Sequence, residues 1–353
     1  MQTETLKALT PWQERAAETK KPVVLYGMGS GADKILRQLE ISGIKCSAVF
    51  ASDDFARGTV FHGYKVSTLS QLEEQYGDML ILLAFGTSLP DVMQRIDNIS
   101  ERHELIAPEV SVIGDGAFEK HIFFERIAEA EHAYSLLGDD ISRKTFELLT
   151  SYKITGDLAF LRKAFSLSAE GSKLTAVPDN AVYCDLGAYN GDTVTDFVSI
   201  CKGHYKKIYA IEPEKKNFQK LIRNTSQLKN IEYINAAAWN SDGELLFSSG
   251  SGRQASVSSS GKRVRSVSLD SVLSGAGADF IKYDVEGADR EALDGSKETI
   301  RKYSPIICTA AYHRPYDYFD LINHIDSIKR GLRYYLRQDR YYPAWETTIT
   351  AYP

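Results

Sequence analysis

Short apolar runs alternate with amphipathic segments along the first third of the chain. Residues 22–26 predict a buried strand that leads into a glycine-rich turn at 27–31, and the helix that follows ends near Gly43. Later elements of the same block are predicted at 44–50, 69–76, 79–85 and after Pro90. Because strands that alternate with helices form parallel sheets, the pattern predicts a Rossmann-like domain over residues 1–114.

From about residue 118 to 168 the apolar residues take helical spacing instead, and no strand is predicted there. Gly138, followed by Asp139 and Asp140, is typical of one helix ending and the next being N-capped. We therefore expect a helical connector over residues 115–178.

A second alternation of strands and helices begins at Pro178. Its strands are predicted at 181–186, 207–211, 231–236, 278–283 and 304–309, with a closing pair near 334–336 and 347–351. The Ser- and Gly-rich stretch 248–261 is compatible with a linker, an acceptor-site loop or a hairpin tip, and the apolar residues on both sides favour the hairpin. The predicted fold class is α/β, with two Rossmann-like doubly wound domains joined by the connector, the second over residues 179–353.

Composition places the chain among globular proteins. Its 353 residues are 43% hydrophobic and 25% charged, and the length suggests two or three domains. The formal net charge of −5 gives no overall basic field, so we expect no nucleic-acid partner. No apolar stretch approaches the ~20 residues of a membrane-spanning helix and no signal-peptide core is visible, so we expect a cytoplasmic protein. The scattered cysteines, Cys46, Cys184, Cys201 and Cys308, predict free thiols.

The strongest candidate for chemistry is the turn Asp-Leu-Gly-Ala-Tyr-Asn-Gly-Asp-Thr at 185–193, directly after a predicted strand. An acid at the strand end would repel a phosphate but suits a ligand with a cationic amino group. S-adenosylmethionine (SAM) is such a ligand, and Gly187 and Gly191 allow the backbone to approach it closely. Backbone N–H groups at the helix start, with Thr193, are suited to its carboxylate.

Further candidates stand at the ends of the next two predicted strands. Glu212, followed by Pro213, is placed to accept both ribose hydroxyls of an adenosine group. Asn235 and Ala236 lie where an adenine edge would be read, although small residues there are explained equally well by tight packing. The predicted cofactor-binding residues are Asp185, Gly187, Ala188, Asn190, Gly191, Asp192, Thr193, Glu212, Asn235 and Ala236.

The candidate catalytic residues are Asp284 and His313. The fourth strand of the second block ends at Asp284, and ligands of doubly wound sheets bind outside the carboxyl ends of the strands, so Asp284 should face the transferring methyl group. His313 follows the fifth strand; it is a candidate general base, with a surface histidine as the alternative. Lys282 and Glu286 are expected to form a structural ion pair. Asp284 and Glu286 suggest a metal, but no third ligand can be identified and none is predicted.

Residues 179–353 resemble the FkbM family of SAM-dependent methyltransferases. The resemblance rests on the turn at 185–193, Glu212-Pro213, Ser268-Leu269-Asp270, the run Asp-Phe-Ile-Lys-Tyr-Asp-Val-Glu-Gly-Ala at 279–288, Tyr312-His313 and Glu346-Thr347. It implies a seven-strand class I methyltransferase fold, SAM as methyl donor and, typically, O-methylation of a hydroxyl on a sugar or secondary metabolite. Our leading hypothesis is O-methylation of a hydroxyl on a sugar, glycan or nucleotide-sugar. Tyr189 and Gln338 depart from the family pattern.

The first domain admits several interpretations. The turn from Gly27 to Ala32 resembles a dinucleotide-binding turn, and Asp53 stands where a ribose-binding acid belongs. The turn could bind NAD, bind the nucleotide of a nucleotide-sugar, or pack helix against strand. No hydride-transfer constellation is visible beside it, which favours a role of this domain in acceptor recognition or assembly. An NAD-dependent oxidoreductase and a non-catalytic nucleotide-sugar-binding protein are therefore the alternative functions. The acceptor, a small molecule or glycan, and the oligomeric state, including a homo-oligomer, are left open.

Overall fold

The computed structural model describes residues 1–56, 58–114, 116–170, 177–248, 256–257 and 261–353. Its helices are α1 Thr3–Lys7, α2 Trp12–Glu18, α3 Ser30–Ile41, α4 Asp53–Ala56, α5 Leu69–Tyr76, α6 Pro90–Ser100, α7 Lys120–Glu125, α8 Ile127–Ser135, α9 Asp140–Thr155, α10 Leu158–Glu170, α11 Asp192–Ile200, α12 Lys215–Asn224, α13 Leu269–Leu273, α14 Asp289–Asp294, α15 Lys297–Tyr303 and α16 Asp317–Ile328. Its strands are β1 Val23–Tyr26, β2 Ala48–Phe50, β3 Val60–Phe61, β4 Tyr64–Lys65, β5 Leu80–Leu83, β6 Glu104–Ile106, β7 Ala181–Leu186, β8 Tyr205–Ile211, β9 Ile231–Ile234, β10 Ala237–Ala238, β11 Gly243–Ser248, β12 Ser256–Val257, β13 Lys262–Val267, β14 Phe280–Tyr283, β15 Ile306–Ala310, β16 Arg333–Gln338 and β17 Thr347–Tyr352.

The first of two compact units comprises Met1–Ile127, Arg143–Glu170 and Gln338–Glu346. Its sheet has the order β2-β1-β5-β6, and every pair of neighbouring strands is parallel. The central strands β1 and β5 are fully buried, as expected of parallel strands covered by helices on both faces. The predicted Rossmann-like alternation is confirmed, with β6 and the β3–β4 hairpin as additions.

The second unit comprises Ala128–Ser142, Gly171–Arg337 and Thr347–Pro353. Its seven-stranded sheet has the order β16-β17-β15-β14-β7-β8-β9. Strands β15, β14, β7, β8 and β9 pair in parallel, whereas β17 runs antiparallel to β15. The seven strands predicted for this half all form, and the carboxyl ends of the parallel ones meet at one edge. That edge carries the candidate site.

The predicted connector is helical but is not a separate body. Asp139 N-caps α9 as predicted, since its Oδ1 accepts the Ser142 backbone N–H at 2.7 Å. Most of α8 belongs to the second unit, whereas most of α9 and all of α10 belong to the first. Residues 338–346 also belong to the first unit. The predicted boundaries near 114 and 178 therefore do not coincide with the limits of the two units.

A second, smaller sheet has the order β10-β13-β11-β12. Strands β11 and β13 pair antiparallel from Gly243 opposite Ser266 to Phe247 opposite Lys262. The flanks of the serine-rich stretch thus form a hairpin, as the sequence favoured; residues 249–255 and 258–260 lie outside the described residues. None of the described helices combines the length and apolar character needed to cross a membrane.

Candidate active site

The loop after β7 packs directly against the loop after β14. Gly187 has a φ of +84°, and a Cβ atom there would lie 1.9 Å from the Asp284 carbonyl oxygen. Only glycine fits this contact, because any side chain would overlap a backbone atom. Gly191, with φ of +88°, is the N-cap residue of α11. Gly187 and Gly191 thus allow the loop after β7 and the start of α11 to lie at the same edge of the sheet.

Asp185 lies at the end of β7 and is completely buried. Its Oδ2 accepts the Thr193 hydroxyl at 2.6 Å, and its Oδ1 accepts the Lys282 ammonium at 3.3 Å. Burial lowers the pKa of Lys282, but the carboxylates of Asp185 and Asp284 outweigh burial and raise it above the ordinary value. The Asp185 carboxylate therefore already forms an ion pair with the Lys282 ammonium. Its contact with the amino group of bound SAM stays a prediction.

The expected ion pair between Lys282 and Glu286 is wrong. Lys282 lies opposite Asp185 in the parallel register of β14 and β7, so the two side chains occupy the same face. The Lys282 ammonium also lies 3.9 Å from Asp284, whereas the Glu286 carboxylate lies 3.6 Å from the His313 ring. Strand register, which spacing along the sequence does not reveal, decides the pairing.

Glu212, at the end of β8, is a buried carboxylate without a cation. It is 6% exposed; its two oxygens accept the Tyr189 N–H at 3.0 Å and the Glu214 N–H at 2.8 Å. No lysine or arginine nitrogen in the described part of the chain lies within 4.0 Å of it. Burial raises the pKa of Glu212 to about 7. A buried carboxylate with spare lone pairs fits a partner that offers hydroxyl hydrogens, as the two ribose hydroxyls of SAM would.

The end of β9 is fastened to the end of β8. The Asn235 side-chain amide donates to the carbonyl oxygens of Glu212 at 2.8 Å and Pro213 at 3.1 Å. Ala236 is completely buried. The amide hydrogens are thus used to hold the strand ends together, which supports the tight-packing interpretation. A role in reading adenine stays a prediction for both residues.

The remaining predicted cofactor residues stabilise the turn itself. Asn190 Oδ1 accepts the Asp192 N–H at 3.1 Å, and the Asn190 carbonyl oxygen accepts the Asn224 side-chain amide at 2.9 Å. Ala188 is buried, and its N–H donates to the Ile211 carbonyl at 3.0 Å. The structure therefore brings this loop, Glu212 and Asp284 together at the carboxyl edge of the sheet.

His313 lies within the second unit and is not the surface histidine of the alternative interpretation. The ring is 0% exposed, and its Nδ1 lies 3.0 Å from Asp289 Oδ2. Its Nε2 lies 3.4 Å from Asp284 Oδ1 and 3.6 Å from Glu286 Oε2. Burial lowers the pKa of His313, but the surrounding carboxylates outweigh burial and raise the pKa well above its usual range. The raised pKa favours the imidazolium form of the ring, which has three carboxylates around it.

Asp289 is the member of this cluster that sequence reasoning missed. It is 2% exposed and is the first residue of α14, where an acid is ordinarily explained by the helix dipole. Its burial beside His313 depends on the folding of two loops 24 residues apart, which no local pattern shows. Among the described residues, no group of three or more His, Cys, Asp and Glu side chains is arranged to hold a metal ion.

The glycine-rich turn of the first unit is explained by packing within that unit. A Cβ atom on Gly31 would lie 2.4 Å from the Ala84 carbonyl oxygen, and one on Gly27 would lie 2.6 Å from the Phe85 ring. Two of the glycines are therefore required where α3 and its turn contact the segment after β5, whether or not a nucleotide binds. The side chain of Asp53 lies outside the described residues.

Comparisons with known proteins agree with this geometry. Residues 185–336 match the family model described as the methyltransferase FkbM domain. The crystal structure of methyltransferase FkbM from Methylobacillus flagellatus KT is 18% identical, with a TM-score of 0.71 over 96% of this chain and 92% of that chain. This likeness shows the fold, and it spans both units.

Two further structures resemble the chain only weakly. Aeropyrum pernix fibrillarin with natively bound SAM is 15% identical, with a TM-score of 0.35 over 54% of this chain and 74% of that chain. A SAM-dependent methyltransferase from Aquifex aeolicus is 12% identical, with a TM-score of 0.31 over 50% of this chain and 84% of that chain. The comparison with curated proteins gives no match. TM-scores of 0.35 and 0.31 are too low for the fibrillarin and Aquifex aeolicus structures to support an inference about this protein.

Proposed function

Since residues 185–336 form a methyltransferase domain of the FkbM type, we propose that the protein transfers a methyl group from SAM to a hydroxyl of a sugar, glycan or nucleotide-sugar. One observation carries the proposal. The loop at Gly187 contacts Asp284 on one side and binds Glu212 through the Tyr189 N–H on the other. The proposed donor site and the candidate acceptor-activating carboxylate thus contact the same turn.

The donor is proposed to bind along the carboxyl ends of β7, β8 and β9. The Glu212 carboxylate would accept the ribose hydroxyls, for which its buried and cation-free state is suited. The positive end of the α11 dipole would receive the methionyl carboxylate, whereas the hydroxyl hydrogen of Thr193 is already donated to Asp185. When bound, SAM supplies a methyl group on a sulfonium, which is electrophilic without help from the protein. Toward the donor, the residues therefore need only to orient it and to exclude water.

Activation of the acceptor is assigned to Asp284. Its side chain is 35% exposed, so a substrate hydroxyl can reach it, whereas the His313 ring has no exposed surface. The hydroxyl proton would pass to the Asp284 carboxylate as the oxygen takes the methyl group, and S-adenosylhomocysteine (SAH) would leave with the electron pair of the broken S–C bond. The proton then returns to solvent.

His313 is proposed as a positioning residue. The raised pKa keeps its ring protonated at neutral pH, so it cannot accept a proton from the acceptor. As an imidazolium 3.4 Å from Asp284 it holds that carboxylate in place. From the sequence both His313 and Asp284 are candidates for the general base; the burial of the His313 ring and the partial exposure of Asp284 support this division of roles.

Transfer of tritiated methyl from SAM to candidate sugars tests this function. Asp284→Asn should lose about 100-fold or more in rate, the usual contribution of a general base, while its affinity for SAH stays close to that of the wild type. Asp196→Asn, an exposed carboxylate on α11, is the matched control and should keep full activity. Undiminished transfer by Asp284→Asn would remove the assignment, and absence of transfer to any hydroxyl compound would argue against O-methylation.

A further inference from the structure

A cavity of about 210 Å³ lies beside the His313 cluster in the second unit. It is formed by the loops that follow β14 and β15 and by the first turns of α14 and α16. Asp289, which contacts His313, lines the cavity and connects the two features. Both loops start at the carboxyl edge of the sheet, where the acceptor of the proposed reaction must bind.

The floor of the cavity offers buried carboxyl groups. Asp289 is 2% exposed and Asp317 is 7% exposed. Asp289 Oδ2 lies 3.0 Å from Nδ1 of the His313 ring, and one oxygen of Asp317 accepts the Arg314 N–H at 2.8 Å. The remaining lone pairs can accept hydrogen bonds from hydroxyl groups. Buried acceptors of this kind suit a hydroxyl-rich ligand, because an apolar ligand would leave them unsatisfied.

The rim carries two arginines. Arg290 and Arg314 both line the cavity and are exposed. In the described part of the chain neither guanidinium forms an ion pair within 4.0 Å. Two unpaired guanidinium groups at one opening suit a carboxylate or phosphate, which each can bind through two parallel hydrogen bonds.

The wall between floor and rim includes an aromatic ring and an aliphatic side chain. Tyr316 is half-buried beside the opening, and Leu321 is buried. An amphipathic tyrosine ring can cover the apolar face of a sugar while its hydroxyl stays polar. The volume is below the ~300–1,000 Å³ of pockets that enclose drug-sized ligands. It is therefore suited to one ring rather than to a whole nucleotide-sugar.

We propose that this cavity binds the acceptor through a hydroxyl-rich ring with one anionic substituent, a carboxylate or a phosphate, which Arg290 and Arg314 bind at the rim. The inference rests on the proposed function, since it assigns the acceptor class of the same reaction. It also explains why an acidic protein places two unpaired arginines beside its candidate catalytic carboxylates.

Binding of three probes to the full chain tests the inference. Glucuronate carries a carboxylate, glucose 6-phosphate carries a phosphate, and glucose carries neither; their dissociation constants are measured by ligand-observed NMR titration. At least one anionic probe should bind about tenfold more tightly than glucose, which is typical of charge-assisted hydrogen bonds. The tighter of the two anionic probes identifies the substituent.

Two double variants, each lacking two arginine charges, distinguish anion binding in the cavity from anion binding elsewhere on the surface. Arg290→Ala with Arg314→Ala should abolish the preference for the anionic probe. Arg301→Ala with Arg333→Ala, two exposed arginines outside the cavity, should retain it. The inference is overturned if no probe binds, if glucose binds as well as the anions, or if the preference survives loss of Arg290 and Arg314.

SAH titration of the same proteins keeps the two proposals distinguishable. SAH should bind equally to the wild type and to the Arg290 and Arg314 double variant, because neither arginine lies on the donor loops. If the wild type shows the arginine-dependent preference but does not bind SAH, the proposed function fails and the anion site stands. If SAH binds but the preference is absent, only the acceptor inference fails.

Discussion

At the scale of single residues, Glu212 is the group whose ionisation should be visible in function. Burial raises the pKa of its carboxyl group from an ordinary 4.5 to about 7. Between these values the folded protein binds a proton that the unfolded chain has released, so this group makes stability fall as pH rises through that window. Hydrogen bonds donated by the two ribose hydroxyls of a bound ligand would favour the ionised form of Glu212 and offset the cost of burying its charge.

The affinity for SAH should therefore fall in acid. Below pH 7 the ligand must bind a protein whose Glu212 has first lost its proton, so the dissociation constant should rise by about tenfold for each pH unit below the pKa. Calorimetric titration at a series of pH values from 8 to 5.5 measures the slope. An affinity that stays constant over this range would show that Glu212 does not bind the ligand as a carboxylate.

Lys282 illustrates what the sequence could and could not predict at this scale. The acid at each strand end was readable from the chain, because strand, acid and glycine follow one another locally. The partner of Lys282 was not, because β7 and β14 lie 97 positions apart and become neighbours only in the folded sheet. The same holds for Asp289 and His313.

Removal of the Lys282 charge should be strongly destabilising. Lys282→Met leaves the fully buried Asp185 carboxylate without its cation, which typically costs about 3–5 kcal/mol. Adding Asp185→Asn to the same chain removes the orphaned charge and should recover most of the lost stability. Urea unfolding followed by circular dichroism compares the two variants. Equal stabilities would mean that the pair does not contribute as a unit.

At the scale of elements, strand positions were more predictable than strand neighbours. All seven strands of the seven-stranded sheet form near the predicted residues, since each carries either an apolar run or an alternation of apolar and polar residues. Nothing in the pattern showed that β17 would insert between β15 and β16. The short β6 was missed because its three residues are too few to show a period.

The contact between the loops after β7 and β14 can be tested with one methyl group. Gly187→Ala places a Cβ atom 1.9 Å from the Asp284 carbonyl oxygen, so the loops must separate. We expect a loss of roughly 2–4 kcal/mol in unfolding free energy and of SAH binding. Gly203→Ala is the matched control, because its φ is +79° but nothing lies within 4 Å of the added atom.

The control isolates backbone strain, which costs about 1–2 kcal/mol for a left-handed residue. Thermal unfolding and SAH titration of both variants give the comparison. If Gly187→Ala is no worse than Gly203→Ala, the close approach of the two loops does not shape the donor site.

At the scale of the whole molecule, the chain forms two α/β units whose segments interleave along the sequence. Residues 128–142 belong to the second unit, although the residues before and after them in sequence belong to the first. Residues 338–346 belong to the first unit, although the residues before and after them belong to the second. Arg337 donates to Asp139 at 2.6 Å, which fastens β16 to the start of α9 within the second unit. Hydrophobic periodicity shows where the helices are, but it does not show which of the two cores each helix packs against. The predicted division into residues 1–114, 115–178 and 179–353 could therefore not be corrected from the sequence.

The central claim is that SAM binds at the carboxyl edge of the seven-stranded sheet through Glu212. Calorimetric titration of SAH into the full chain at pH 8 tests it most directly, with Glu212→Gln and the matched control Glu214→Gln. We expect binding by the wild type, about tenfold or greater weakening by Glu212→Gln, and a change within about twofold for Glu214→Gln. Failure of the wild type to bind SAH, or equal affinity in Glu212→Gln, would contradict the claim.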